Sequence, residues 1–258
     1  MAEDADHTID GFLDNQFRLV QPKSGGHRAG LDGVLLAATV PPDASGRIAD
    51  LGAGCGVVGF AIAHRCPKVT VDQFELCEDN LACLAKGLGL QENQHFASRV
   101  TAHKADVTKR AVPPLDQLSG RMNFIVANPP FNSSAKQASQ HRGRALAHQH
   151  HGDLFEQWIR TAAHLAKHGA KACFIIPADM LGQFLPGFEA RFGDVAILPV
   201  RPRSSTPASR LLIGGTFGSA APLNVLPDLV LHEENGTYTT KADAILRGKC
   251  GLELKSPR

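Results

Sequence analysis

Asp50-Leu51-Gly52-Ala53-Gly54-Cys55-Gly56-Val57-Val58-Gly59 joins a strand-like apolar run, Arg47 to Leu51, to a helix-like run, Gly56 to Arg65. Glycines there let the backbone pass close to a ligand, and the start of the following helix offers free N–H groups. Four glycines within eight residues are more than a plain strand-to-helix turn needs, since each adds backbone entropy that folding must remove. Gly54 to Gly59 also reads as GxGxxG, with Glu75 about twenty residues on, which is the dinucleotide fingerprint. Asp50 argues against a dinucleotide, because a carboxylate just before the loop is a poor neighbour for a pyrophosphate and a good one for a cation. S-adenosylmethionine carries an ammonium and a sulfonium, and its ribose diol calls for a carboxylate acceptor. Glu75 supplies that acceptor in either reading.

Strand and helix patterns alternate on both sides of the loop. The pattern predicts a short helix over Val34 to Ala38, ended by Pro41-Pro42. Strands follow at Arg47 to Leu51, Val69 to Glu75, Arg99 to Lys104, Asn123 to Asn128 and Lys171 to Pro177. Helices separate them at Gly56 to Arg65, Glu78 to Leu88 and Leu154 to Lys167. Such alternation predicts a parallel sheet with helices on both faces. A further helix, Met180 to Phe192, and strands at Val195 to Val200 and Arg210 to Phe217 come next. Arg201 to Pro207 reads as an exposed loop. The tail suggests a small strand pair around Asn235-Gly236 and a short helix near Lys241 to Leu246. Residues 1–45 are read as an N-terminal extension whose first twenty residues are poorly anchored and whose loop, Gln21 to Gly30, approaches the site. Residues 46–220 form the main domain, and 221–258 a C-terminal extension packing on it.

Asp50, Glu75, Asp106 and Asn128 fall at the ends of four successive strands, where the carboxyl edge of an open sheet meets its ligand crevice. Asp106 is placed to accept from an adenine amine. Asn128 opens Asn128-Pro129-Pro130-Phe131. Two prolines fix the backbone and remove its donors, which leaves the Asn128 side chain and the adjacent carbonyls as an acceptor-rich array beside an aromatic face. That array suits a planar group bearing an NH2.

These residues resemble a class I S-adenosylmethionine-dependent methyltransferase of the small methyltransferase domain type, and more narrowly the valine tRNA adenine-N6 methyltransferases, over about Lys23 to Lys249. The resemblance implies a Rossmann-like α/β fold with a seven-stranded, mostly parallel sheet. It implies a cofactor site built from Asp50, Gly52, Ala53, Gly54, Gly56, Glu75, Asp106 and Asn128, and a catalytic set of Asn128, Pro129, Pro130 and Phe131. Gly26-His27-Arg28-Ala29-Gly30-Leu31-Asp32-Gly33-Val34-Leu35-Leu36 resembles the segment that separates the tRNA branch from the glutamine-methylating branch. His27 stands where the family has an aromatic, and Gly33 where it has a small side chain. The implied substrate is an adenine amine in RNA, with Phe131 stacking on a flipped-out base. A glutamine amide fits the same cradle. A small-molecule O-methyltransferase and a catalytically silent RNA-binding protein are the other readings.

Composition narrows little further. The 258 residues, 43% hydrophobic, suffice for one core, and a formal net charge of +2 marks no nucleic-acid binder. Six cysteines without a CxxC pair suggest neither zinc nor a disulfide framework, and the polar, acidic N-terminus does not read as a signal. No apolar run reaches the ~18 residues of a membrane span. A cytoplasmic protein without metal is the expectation. Arg28, Asp32, Arg142 and Arg144 are candidate substrate contacts, the arginines of the His141 to His151 stretch meeting phosphate beside histidines that line a mobile lid, or lying in an ordinary solvated loop. Arg201, Arg203 and Arg210 read as RNA backbone contacts or a solvated surface. Phe155 and Trp158, at helical spacing, are core.

Overall fold

The computed structural model describes residues 6–23, 30–130 and 142–254, without the side chains of 142–153. Eleven strands and seven helices follow in the order β1 (His7–Phe12), β2 (Phe17–Pro22), α1 (Leu31–Ala38), β3 (Ser45–Leu51), α2 (Val57–Arg65), β4 (Lys68–Glu75), α3 (Glu78–Gly89), α4 (Gln94–Ala97), β5 (Val100–Lys104), β6 (Met122–Ala127), α5 (Arg142–Leu165), β7 (Ala166–Pro177), α6 (Leu181–Glu189), β8 (Phe192–Arg203), β9 (Arg210–Phe217), β10 (Asn224–Val225), β11 (Leu229–His232) and α7 (Thr240–Leu246). The main sheet runs β8-β9-β7-β6-β3-β4-β5, and only β9 is reversed. These are the seven strands that the alternation and the resemblance called for. The two-residue β10 and four-residue β11 pair in parallel with β8 and raise the sheet to nine strands.

The chain winds outward from β3 through β4 to β5, then returns to place β6 on the other side of β3. The carboxyl ends of β3 and β6 therefore flank the switch point of the sheet, where the crevice of an open α/β fold lies. One apolar core joins α1, α2, α3 and α7 to one face of the sheet, and a second joins α5 and α6 to the other. Phe155 and Trp158 belong to the second, as their spacing predicts. Among the described residues no helix is long and apolar enough to cross a membrane.

The N-terminal residues are not a poorly anchored lead-in. β1 and β2 form an antiparallel hairpin whose Phe17 and Leu19 are fully buried. Phe17 meets Phe60 and Phe96 edge-on, each at 6.2 Å between ring centroids. Asn93, wholly buried, clamps the outer edge of β2: its Oδ1 accepts from the Arg18 N–H at 2.9 Å, and its Nδ2 donates to the Arg18 and Gly87 carbonyls, each at 2.7 Å. The polar residues between Phe12 and Phe17 hide this anchoring, although β2 buries Leu19, Val20 and Gln21 in succession and so on both of its faces.

Asp50 links both sides of the glycine loop from beneath. It is 1% exposed, and its Oδ2 accepts from the Gly59 N–H at 3.1 Å and from Gln73 Nε2 at 2.9 Å. Desolvation pushes its carboxyl up to about 6, aided by the nearby charge of Glu75 and opposed by the bonds from Gln73 and Gly59. A folded-state pKa above the unfolded one means that ionisation disfavours the fold. Stability is fullest with Asp50 protonated and falls as pH rises from 3.8 to about 6. The difference at neutral pH is about 3 kcal/mol.

Two outcomes follow for equilibrium denaturation. Phe17→Ala lowers the unfolding free energy by about 3–5 kcal/mol, and a change below about 1 kcal/mol would return the hairpin to a loose lead-in. Asp50→Asn, which keeps an acceptor for Gly59 and Gln73, gains stability over the parent as pH is raised through about 6. Parallel pH profiles for the two proteins contradict the burial argument.

Candidate active site at the switch point

The glycine loop is held against β4 by its own backbone. The N–H groups of Gly52 and Ala53 both donate to the Phe74 carbonyl, at 2.9 and 3.0 Å. Gly52, Gly54 and Gly56 take φ of 69°, 57° and 101°, the left-handed region that a side chain rarely adopts. Their surroundings differ. A Cβ on Gly52 would lie 2.4 Å from the Trp158 ring of α5, and one on Gly59, in the first turn of α2, would lie 2.3 Å from Gln73 Nε2 of β4, so a helix presses on the start of the loop and a strand side chain on the turn that follows it. A Cβ on Gly54 would meet nothing within 4 Å. The loop is packed at its two ends and open at its tip.

Glu75 ends β4 beside that opening. Its Oε2 accepts from the Gly54 N–H at 2.7 Å, and its Oε1 accepts from the Leu76 and Cys77 N–H groups, each at 2.8 Å. A carboxylate offers about four acceptor positions, so three backbone bonds fix its orientation and leave capacity on Oε2. Leu76, next in the chain, is 57% exposed, an apolar plate at the mouth of the crevice that the sequence reading passed over.

Asp106 follows β5, whose end is tied to β4 through the Ala105 N–H and the Glu75 carbonyl at 2.9 Å. Its Oδ1 accepts from the Thr108 N–H at 3.0 Å and the Thr108 hydroxyl at 2.6 Å, and Oδ2 pairs with Lys109 at 3.2 Å. Partial burial pushes its pKa up, but these bonds outweigh it and hold the carboxyl below the usual range. Asp106 is thus a rigid, ionised group rather than a free loop acid.

Asn128 sits on the other side of the loop. Leu51 pairs with Ala127, so Gly52 and Asn128 leave the sheet side by side. Asn128 is half-buried and its amide makes no hydrogen bond among the described residues. Pro129 is buried and Pro130 exposed. Asp50, the glycines, Glu75, Asp106 and Asn128 therefore gather along four adjacent strand ends at the switch point.

The remaining candidates divide. Asp32, at the start of α1, accepts from Arg210 Nε at 2.8 Å, and Arg210 lies opposite Pro177 on the same edge of the sheet. Arg210 is accordingly committed to Asp32 rather than left as a solvated cation. Arg201 is likewise engaged: it donates to the Thr206 carbonyl at 2.7 Å and to the Ser204 carbonyl, and pairs with Asp228 at 2.9 Å. These contacts brace the turn between β8 and β9, which the sequence reading had as a longer exposed loop. Arg203 is exposed. Phe131, His27 and Arg28 lie outside the described residues, as do the side chains of Arg142 and Arg144 and of the histidines from His148 to His151. Trp158 was read as core only. It is also the wall behind Gly52, and its buried Nε1 has no partner among the described residues.

Comparison with known proteins bears on the family and the fold. The methyltransferase small domain matches residues 30–169. The tRNA1(Val) (adenine(37)-N6)-methyltransferase of Proteus mirabilis is 27% identical over 236 residues, covering 90% of each chain. Its counterpart from Yersinia pestis is 27% identical over 232 residues, covering 89% of each. The crystal structure of a predicted O-methyltransferase, protein Atu636 from Agrobacterium tumefaciens, is 29% identical with a TM-score of 0.74, covering 86% of this chain and 98% of that one. The Thermus thermophilus 16S rRNA N2 G1207 methyltransferase, in complex with AdoMet and guanosine, shares the fold at 17% identity and a TM-score of 0.54, over 84% of this chain and 46% of its own. With the family's domain matched over more than half of the residues and the glycine loop at the switch point of its sheet, the chain belongs to the methyltransferase small domain family and is an S-adenosylmethionine-dependent methyltransferase.

Proposed function

We propose that the chain methylates the exocyclic N6 amine of an adenine in RNA, with a tRNA as its substrate. The observation that carries this reading is Asn128: an amide without a partner among the described residues, set beside Gly52 and followed by two prolines. The names of the relatives from Proteus mirabilis and Yersinia pestis support the choice of adenine and tRNA.

The residues at the switch point fit S-adenosylmethionine. The open side of Gly54 admits a ligand against the loop backbone, Glu75 retains acceptor capacity for a ribose hydroxyl, and Leu76 offers an apolar face to an adenine ring. Asp106 supplies a fixed negative group for the adenine amine, and Asp50 a carboxylate beneath a cationic ligand. When bound, the cofactor supplies an electrophilic methyl group on a sulfonium.

An adenine amine is a weak nucleophile, since its lone pair is conjugated with the ring. Asn128 Oδ1 and the Pro129 carbonyl accept its two hydrogens, which draws the nitrogen toward tetrahedral geometry and frees the lone pair along one line. Phe131 stacks on the base and holds that line. The amine proton becomes acidic only as the N–C bond forms, and it leaves to water. Positioning and acceptor placement therefore do the work without a strong general base. Arg28, Arg142 and Arg144 are assigned to the RNA backbone. Asp32, paired with Arg210, orients the start of α1 toward the same edge.

The direct test is transfer of labelled methyl to total tRNA from a strain lacking the gene, followed by nucleoside analysis. N6-methyladenosine is expected. Label in protein glutamine selects the amide-methylating branch, and label on a small-molecule hydroxyl the O-methyltransferase reading. Asn128→Ala lowers transfer at least ~100-fold while changing S-adenosylmethionine affinity less than about tenfold by calorimetry. Glu75→Gln, which spares most of the backbone bonds, weakens cofactor binding about tenfold. An Asn128→Ala protein with parental turnover rules out the amine cradle.

A further inference from the structure

The amino edge of the sheet, opposite the crevice, carries a shallow cavity of about 500 Å³. Its wall includes Arg47 near the start of β3, Lys68 and Thr70 on β4, Arg121 just before β6, Asn123 on β6, and Lys167 on β7. Lys68, Arg121 and Lys167 are exposed. Four cations line it; buried Asp72 pairs with Arg47, and among the described residues Lys68, Arg121 and Lys167 remain without an acid, so positive charge is concentrated here beyond what a net charge of +2 over the chain provides. Lys68 and Arg121 form no ion pair or side-chain hydrogen bond among the described residues. Lys167 just follows α5, whose C-terminal carbonyls favour a cation there, but that dipole accounts for one charge of the four.

The neutral groups point the same way. Gly46 takes φ of 92°, and its missing Cβ admits the Asn123 amide, which would lie 2.4 Å from one. Asn123 Oδ1 is then consumed by the Arg47 N–H at 3.0 Å and Lys167 Nζ at 3.2 Å. The group it leaves for a ligand is its NH2. Arg47 is held in place by buried Asp72, through bonds of 2.5 and 2.8 Å, and Asp72 in turn meets His103 at 2.7 Å. The cavity thus presents donors and positive charge to a ligand, with its one amide acceptor already occupied. A ligand made of acceptor oxygens bearing negative charge complements it, and phosphodiester is such a group.

We propose that this cavity binds the phosphate backbone of the RNA substrate at a point remote from the methylated base. The inference rests on the reading of the substrate as tRNA. Lys68 and Glu75 lie at opposite ends of β4, about 23 Å apart along the strand. A whole tRNA has phosphates far from the methylated base that can reach round the sheet to this edge, whereas an RNA cut back to the loop and its first base pairs has few, so loss of the cavity costs the trimmed RNA less. Its contribution is affinity and orientation, and the chemistry stays at the other edge.

The experiment measures binding of fluorescently labelled full-length tRNA against salt concentration, for the parent chain and for the combined variant Lys68→Gln, Arg121→Gln, Lys167→Gln. Arg47 is left untouched because it holds Asp72. Each lost phosphate contact removes about 0.7–0.9 from the slope of log affinity against log salt, so the variant's slope falls by about 2 to 3 and its affinity at moderate salt drops about tenfold or more. The thermal midpoint, S-adenosylmethionine affinity and methyl transfer to a hairpin cut to the loop and its first base pairs stay at parental values. An unchanged slope with full-length tRNA overturns the proposal, as does equal loss on the short hairpin. Inorganic pyrophosphate that saturates the parent but not the variant, without displacing tRNA, assigns the cavity to a small free anion and overturns it too. Binding requires no turnover, so a parent chain that binds tRNA with this slope yet leaves its adenines unmethylated defeats the proposed function and not this site.

Discussion

The N–H groups of Gly52 and Ala53 converge on one carbonyl, that of Phe74, and the N–H of Gly54 turns to the carboxylate of the next residue, Glu75. Through these three bonds the end of β4 dictates the course of the loop that leaves β3. Glycine is required because the backbone takes left-handed angles there and because side chains of α5 and β4 approach closer than a Cβ permits. Trp158 of α5 closes on Gly52 from one side. Gln73 of β4 fills the space beside Gly59 of α2 on the other. The loop is therefore set between α5 and β4, and among the described residues packing leaves its tip at Gly54 open.

Beneath the loop lies a compromise. Asp50 ties the first turn of α2 to β4 through Gly59 and Gln73, yet its burial makes the ionised form unfavourable. A neutral amide would satisfy the same donors without that penalty. A buried carboxylate there is a stability sacrifice, and a cationic ligand bound in the crevice above it would offset that charge.

Much of this was legible in the sequence because the decisive features are backbone constraints. Glycines at fixed intervals, an acid or amide at each of four strand ends and paired prolines all restrict φ and ψ or hydrogen bonding locally, and the alternation of periods located the strands around them. The partners of long side chains were not legible. Arg210 read as a free cation and is engaged by Asp32, 178 residues away in the chain, and Arg201 by Asp228. The hairpin at residues 7–22 was missed because the rings that anchor Phe17, those of Phe60 and Phe96, come from elements far along the chain. Leu76 was overlooked because an exposed leucine in isolation carries no signal, and it gains one only from the structure that sets it at the crevice mouth.

The two edges of the sheet differ in a way that bears on how one chain serves both chemistry and recognition. At the carboxyl edge the charged groups near the loop are acids already oriented by backbone donors or by a neighbouring cation: Glu75 by three N–H groups, Asp106 by Thr108 and Lys109. Such groups lose little freedom on meeting a ligand, which favours precise placement of a methyl donor. At the amino edge the cations at Lys68 and Arg121 are exposed and unpaired among the described residues, which favours a ligand whose charge recurs along its length and whose position need not be fixed to an ångström. A parallel sheet separates these tasks by the length of its strands. Precision belongs to the end where the chain turns through glycine, and reach to the end where the strands begin.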